Sequence, residues 1–337
     1  MTTRNLQVRM ARHPQGELVE GDFEFTESEK PSRAAGQVLV RNVYLSLDPY
    51  MRPMMDPVRS YVPHLNPGDL MPGFGVGQVV DSDSDEFPIG AYVTGRFGWQ
   101  QYAAAAVQAL RRVDPALGPI STAVGVLGMP GATAHYGLMQ IGRPKSGDTV
   151  VVSAASGAVG SLVGQIAKLN GCRVVGIAGG PDKCRYVVDE LGFDACLDYR
   201  APGLERRFAE ATPDFVDVSF ENVGGPIMDM VMARLNAHAR VVLCGAISQY
   251  GKSSAASGFP VFELVRQRAT LTGFIISEHM EHWPSAFADI SRWIAEGKVK
   301  YRESIADGLH AAPAAFMGML TGRNFGKQLV RVGAESC

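Results

Sequence analysis

The feature that most constrains this chain lies within residues 148–177. Asp148-Thr149-Val150-Val151-Val152-Ser153 reads as a continuous apolar strand, carried by Val150, Val151 and Val152 without polar alternation, the pattern of a strand covered on both faces. The turn Ala154-Ala155-Ser156-Gly157-Ala158-Val159-Gly160 follows. A helix is predicted over 158–170, with Val159, Leu162, Val163, Ile166 and Leu169 at helical spacing and Gly171 as its stop. A second strand, 173–177, comes at once. Two strands joined through a helix pair in parallel, since an antiparallel pair needs only a short turn. Further strands are predicted at 215–220, 240–243 and 270–276, and a helix at 283–297. Residues 126–304 therefore read as α/β: a doubly wound parallel sheet with helices on both faces.

Residues 1–125 follow a different grammar. Short apolar runs at 38–43, 75–80 and 91–93 are punctuated by Pro, Gly and Asp, which predicts an irregular, mostly β domain. The segment between Met51 and Pro72 contains Pro53, Pro57, Pro63 and Pro67 and shows no period. Such a stretch reads as a functional loop or covering flap, with plain surface irregularity as the alternative. A last strand at 325–332 follows the α/β pattern, so residues 305–337 are expected to complete the 1–125 domain. Two domains also suit a chain of 337 residues.

Composition excludes several classes of function. Hydrophobic residues at 46% and charged residues at 20% suit a packed globular enzyme, and a net charge of -2 without basic runs recruits neither nucleic acid nor an anionic membrane. No apolar stretch approaches the roughly 20 residues needed to span a bilayer. Met1-Thr2-Thr3-Arg4-Asn5 lacks the apolar segment of a signal peptide, so a cytoplasmic location is expected. Cys172, Cys184, Cys196, Cys244 and Cys337 are scattered singly, and four of them, on or beside predicted strands and helices, read as small core hydrophobes rather than redox or metal groups. In Glu278-His279-Met280-Glu281-His282 the histidines are three apart, not at HExxH spacing. No metal site is expected, and this stretch reads as a surface or pocket rim.

The turn at 154–160 departs from GxGxxG by placing Ala154 where the first glycine usually sits. Gly157 would let backbone approach a pyrophosphate, Gly160 would let helix and strand pack closely, and the helix N-terminus would supply amide donors. An NAD site normally ends the second strand with a carboxylate. Here Ala178-Gly179-Gly180 offers none, and Lys183, Arg185, Tyr199 and Arg200 lie just beyond. Missing acid and nearby cations suit the 2′-phosphate of NADP, although Lys183 also reads as a solvated helix-start residue.

The chain resembles the medium-chain dehydrogenase/reductase superfamily, and within it the leukotriene B4 12-hydroxydehydrogenase/prostaglandin reductase family. The resemblance is borne along essentially the whole length by Ser46-Leu47-Asp48-Pro49-Tyr50-Met51-Arg52, Gly128-Met129-Pro130-Gly131-Ala132-Thr133-Ala134, residues 151–184, Glu221-Asn222-Val223-Gly224-Gly225, residues 243–250 and Asn324-Phe325-Gly326-Lys327. It implies a GroES-like catalytic domain beside a Rossmann domain, NADPH as cofactor, and a homodimer, for which the apolar stretch 271–276 would supply an edge. It also implies that Gly157, Ala158, Val159 and Gly160 cradle the pyrophosphate. Lys183 and Tyr199 would hold the 2′-phosphate end. Asn222 with Cys244, Gly245, Ala246, Ile247, Ser248, Gln249 and Tyr250 would line the ribose and nicotinamide, and Phe274, Ile275, Ile276 and Asn324 would close over them. Relatives that bind large lipids often carry a tyrosine after that apolar triplet. This chain has Ser277, which argues against a lipid mediator as substrate.

The implied activity is reduction of the C=C bond of an α,β-unsaturated ketone or aldehyde without zinc. Hydride added at the β-carbon moves negative charge to the carbonyl oxygen, where a few fixed donors stabilise it. Candidate donors are the Tyr50 hydroxyl, the Tyr250 hydroxyl and the cofactor's ribose hydroxyl. A packing role fits either tyrosine as well. The expected site is a cleft between the two domains, with Tyr50 in its wall and the proline-rich flap above. Two rival readings share the cofactor residues: a quinone oxidoreductase of the same superfamily, and an NADPH-binding protein without turnover.

Overall fold

The computed structural model describes residues 4–251 and 261–335. The chain divides into two compact units, one of Met1–Gly125 with Glu303–Cys337 and one of Val126–Arg302.

The second unit is built on a six-stranded sheet in the order Ala195–Asp198, Arg173–Ala178, Thr149–Ser153, Val216–Glu221, Leu235–Leu243, Thr270–Gly273. Every neighbouring pair is parallel. Thr149–Ser153 lies mid-sheet with all five residues buried, which is why it shows no polar alternation. Chain order runs outward from it, first to one side and then to the other. Right-handed crossovers therefore put helices on opposite faces of the two halves. Leu162, Val163, Ile166 and Ala167 of the helix Gly160–Leu169 are at most 1% exposed, and burial of side chains of this size stabilises by about 1.5–3 kcal/mol for each Leu, Val or Ile.

In the first unit a seven-stranded sheet runs Glu303–Asp307, Lys327–Arg331, Gln37–Ser46, Phe74–Asp81, Tyr92–Arg96, Arg111–Val113, with Tyr102–Ala106 also paired to Gln37–Ser46. Leu329 faces Ser46 in an antiparallel register, so the last strand is integral to this sheet. Arg4–Met10 and Phe23–Glu29 form a separate antiparallel pair. The fold class is thus α/β: a Rossmann sheet and a mostly β GroES-like unit.

Two expectations need correction. The strand predicted over 270–276 ends at Gly273, and Ile276–Glu278 is a 3-10 turn. Apolar side chains at 274–276 look like more strand in sequence, but Ile276 leaves the sheet and is only 7% exposed. The proline-rich stretch runs as irregular chain that is exposed over 57–64 apart from Val62, and it is anchored on either side of that segment. Met51, Met55, Leu65 and Met71 are buried with Trp99 and Phe316 in one core cluster, and the helix Met51–Met54 starts the stretch. Its anchors are four apolar residues too widely spaced to show a period. Of the cysteines, only Cys172 is buried; Cys184, Cys196 and Cys244 are half-buried, and Cys337 lies outside the described residues.

Candidate functional site

Sheet register brings most of the predicted residues together. Phe220 pairs with Val152, so Ser153 and Glu221 end adjacent strands at the point where the strand order reverses. Open α/β sheets bind ligands beyond the carboxyl ends of strands at such a point. Asp198 pairs with Ala178, which puts Tyr199 beside Gly179. Leu243 pairs with Gly273, which sets Cys244 beside Phe274. Tyr199, Lys183, the turn 154–160, Asn222, the loop 244–250 and Phe274 therefore follow one another along a single carboxyl edge.

At the centre, Ala154 takes the left-handed backbone that favours glycine, with φ of 50°; counted back from Gly157 and Gly160, the first glycine position of GxGxxG is Ala155 and not Ala154. A Cβ on Gly160 would sit 2.4 Å from the Ala154 carbonyl oxygen, and one on Gly157 would sit 3.1 Å from it. Gly160 is thus required by close backbone approach. The helix begins at Gly160 without a side-chain cap, while Gly157, Ala158 and Val159 remain half-exposed in front of it. An uncapped first turn with an open glycine cradle fits a pyrophosphate.

At one end of the edge, Lys183 stands half-buried in the first turn of the helix Pro181–Asp189. Burial and then the neighbouring Arg200 charge hold its pKa below the ordinary lysine value. An anion placed here relieves that repulsion. The Arg200 guanidinium lies 5.6 Å from the Tyr199 ring centroid, and the Tyr199 hydroxyl is 2.8 Å from where a Gly179 Cβ would be. A carboxylate is nearer than the sequence suggests. Asp198 Oδ1 accepts from the Gly180 and Arg200 backbone N–H groups at 2.8 and 2.9 Å, and these bonds hold its pKa down against the cost of burial. It comes from the third strand in chain order of this unit rather than the second, and one of its oxygens is committed to shaping the turn.

Beyond the reversal point the organiser is Glu221, which the sequence reading did not single out. Its side chain is fully buried, and Oε1 accepts from the Ser153 hydroxyl at 2.8 Å and the Val223 and Gly224 N–H groups at 2.5 and 2.7 Å. Oε2 has no hydrogen-bond partner among the described residues. Burial raises the Glu221 pKa despite these donors. Ser153 Oγ in turn accepts from Asn222 N–H, and Asn222 Nδ2 donates to the Ser153 carbonyl, both at 2.8 Å. The Glu221 carbonyl receives the Cys244 and Gly245 N–H groups, and the Asn222 and Val223 carbonyls receive Ile247 and Ser248. The buried carboxylate thus shapes the turn after its strand, and the backbone carbonyls of that turn anchor the 244–250 loop at 244, 245, 247 and 248. A strand-final Glu at the sheet's reversal point was its only sequence signal.

Within that loop the Tyr250 hydroxyl lies 3.3 Å from where a Gly245 Cβ would be. Burial raises its pKa, opposed by the Ala246 N–H. Burial and the Glu221 carboxylate push the Cys244 thiol up to about 12. Phe274 turns toward Tyr136, with ring centroids 5.6 Å apart, and Tyr136 stacks on His279 at 4.2 Å. The Ile276 carbonyl accepts from Trp283 Nε1 at 3.3 Å. Among the described residues no three His, Cys, Asp or Glu side chains are grouped to hold a metal ion.

Tyr50 and Asn324 belong to the first unit. Tyr50 precedes the helix Met51–Met54, and burial followed by the Asp48 charge raises its pKa. The segment leading to it is pinned by a buried ion pair, Lys327 Nζ to Asp48 Oδ1 at 2.7 Å, and Lys327 Nζ also donates to the Leu47 carbonyl. Asn324 Nδ2 donates to Gly326 within its own turn at 2.9 Å.

Comparison with known proteins accords with these features. Residues 6–113 match the family described as the N-terminal domain of oxidoreductase, and residues 158–296 match the zinc-binding dehydrogenase family. The NADPH-dependent curcumin reductase of Escherichia coli is 43% identical over 338 residues, covering 98% of each chain. The NADP(+)-dependent 2-alkenal reductase of Nicotiana tabacum is 39% identical over 341 residues, again covering 98% of each. The chain belongs to the prostaglandin and alkenal reductase family of the medium-chain dehydrogenase/reductase superfamily. Its membership extends to the backbone. The crystal structure of CurA in complex with NADPH from Vibrio vulnificus aligns with a TM-score of 0.94 at 43% identity, over 98% of this chain and 99% of that one. The zinc-binding description does not fit the side chains this family member gathers, since no such cluster exists among the described residues.

Proposed function

We propose that this protein uses NADPH to reduce the C=C bond of α,β-unsaturated ketones or aldehydes, without a metal. The observation that carries this reading is the carboxyl edge of the second unit's sheet, where a glycine cradle, the Lys183–Arg200 cation pair and the loop anchored on the Glu221 turn stand in one line. The substrate class is supported by the relatives named for NADPH-dependent curcumin reduction and for 2-alkenal reduction. Bound NADPH supplies the hydride that adds to the β-carbon. Lys183 and Arg200 neutralise its 2′-phosphate, with Tyr199 packed alongside. Gly157, Ala158, Val159 and Gly160 present backbone to the pyrophosphate. Asn222, the loop 244–250, Phe274, Ile275, Ile276 and Asn324 line the ribose and nicotinamide.

Tyr50 and Tyr250 both keep their protons more firmly than a free tyrosine. They suit hydrogen-bond donation to an enolate oxygen, which needs no full transfer, and leave the α-carbon to be protonated by solvent. In this reading the unit of Met1–Gly125 and Glu303–Cys337 is the catalytic one and Val126–Arg302 binds the cofactor. A homodimer belongs to the reading, supported by the exposed edge strand Thr270–Gly273. No helix among the described residues is long and apolar enough to cross a membrane.

The test is NADPH consumption over a panel of enals, enones and quinones, with and without a chelator. Turnover of enals and enones, unchanged by chelation, is expected. Turnover of quinones alone favours a quinone oxidoreductase, no turnover leaves a binding protein, and one zinc per chain by elemental analysis contradicts the metal-free mechanism.

A further inference from the structure

We propose that Cys184 and Cys196 are a dithiol that closes reversibly to a disulfide and thereby loosens the Lys183–Arg200 site. The two sulfurs are 3.0 Å apart although the residues are 12 apart in sequence. Cys184 lies on the helix Pro181–Asp189 and Cys196 on the strand Ala195–Asp198, an edge of the six-stranded sheet. Both are half-buried, so a small oxidant reaches them. Their neighbours are the groups that bear on the phosphate: Lys183 adjoins Cys184, and Tyr199 and Arg200 follow Cys196 directly after the strand.

The two thiols are not equivalent. The hydrogen bond donated by Cys196 favours the Cys184 thiolate, as does a first-turn position in a helix, and the Cys184 pKa is lowered despite burial. Cys196 is driven the other way by that same bond and by burial. Cys184 is therefore the attacking sulfur and Cys196 the resolving one. With hydrogen peroxide as oxidant, the Cys184 thiolate attacks one peroxide oxygen, an S–O bond forms, the O–O bond breaks, and the departing hydroxide takes up a proton as water. Cys196 then attacks the Cys184 sulfur. The S–S bond forms, the S–O bond breaks, and the Cys196 proton leaves with the second hydroxide as water. Two thiols lose two electrons and one peroxide becomes two waters. A dithiol reductant reverses this through two exchanges.

Bond formation brings the sulfurs from 3.0 Å to about 2.05 Å. That approach and the roughly 90° torsion of a disulfide are shared between the two cysteine side chains and the backbone of the helix bearing Lys183 and the strand feeding Tyr199 and Arg200. A cation pair set for a phosphate is sensitive to such a shift. NADH, which has no 2′-phosphate, is not affected through this route. The inference rests on the NADP reading of this site.

The experiment treats the full-length reduced protein with a few equivalents of hydrogen peroxide. Remaining thiols are alkylated and mapped by mass, and NADPH and NADH are titrated by nicotinamide fluorescence before oxidation, after it, and after dithiothreitol. The expected result is a 184–196 cross-link, an NADPH Kd raised about tenfold with NADH unchanged, and full reversal by the dithiol. Cys184→Ser and Cys196→Ser should each bind NADPH like the parent and lose the peroxide response. Both cysteines remaining alkylatable, Cys184 passing to a sulfinic acid without a cross-link, or a cross-link with unaltered NADPH affinity would each overturn the proposal. Equal affinity of the untreated protein for both cofactors would instead strike at the NADP reading, and would be visible before any peroxide is added.

Discussion

The two ends of the carboxyl edge are held together by different means. The phosphate end is assembled from short-range pieces: a glycine turn, a helix start and cations within 22 residues of Gly179. The loop at 244–250 is held from a distance: the Glu221 carboxylate bonds to Ser153 and to the Val223 and Gly224 N–H groups, and the Glu221, Asn222 and Val223 carbonyls take the N–H groups of 244, 245, 247 and 248. Charge governs the first and hydrogen-bond satisfaction of a buried acid governs the second. Substitutions at the first end should therefore alter affinity at nearly constant stability, and substitutions at the second should alter both.

The largest effect expected is at Glu221. Glu221→Ala leaves the Ser153 hydroxyl and the Val223 and Gly224 N–H groups without their acceptor. Each buried unpaired donor costs about 1–3 kcal/mol, so the loss should exceed about 3 kcal/mol in denaturant unfolding. Glu221→Gln keeps an acceptor oxygen and should recover most of that. An alanine variant as stable as the parent would erase the contrast between the two ends.

Lys183→Ala comes next. It should weaken NADPH by about 1.5–3 kcal/mol, the range for a charge-assisted hydrogen bond, and leave NADH and the unfolding midpoint nearly unchanged. The same residue predicts a pH signature. Its pKa is lowered, so the protonated form needed for phosphate binding is lost as pH rises, and the loss begins below the ordinary lysine range. NADPH affinity measured against pH should fall early, with NADH flat across the same interval. Parallel curves for the two cofactors would remove Lys183 from the phosphate site.

The smallest of the three is Tyr250→Phe. The hydroxyl already interacts with the Ala246 N–H, so its removal should cost about 1 kcal/mol, near fivefold in kcat, with NADPH affinity retained. Full turnover across several enones would leave Tyr250 a loop-packing residue.

Legibility in the sequence follows the same division. The parallel sheet was readable because Val150, Val151 and Val152 run without polar alternation inside Thr149–Ser153, and the turn because Gly157 and Gly160 are local. Tertiary pairing carries the rest. Glu221 looks like an ordinary strand end until the register sets it beside Ser153. Asp198 reaches the Gly180 turn from a strand that sequence order places later. Cys184 and Cys196 look scattered because their contact arises between a helix and a strand. At 274–276 the error was one of period: apolar residues continue after the sheet ends because the 3-10 turn also buries Ile276.

The measurement that bears most directly on the central claim is the identity of the product. Carbonyl reduction builds charge on an alkoxide, which calls for a strong Lewis acid or a committed proton donor, whereas conjugate addition spreads it over an enolate that tyrosine hydroxyls with raised pKa values accommodate. Incubation of the protein with NADPH and a simple α,β-unsaturated ketone, followed by mass spectrometry and NMR, should give the saturated ketone. The allylic alcohol as main product would contradict the account, even with NADPH fully consumed.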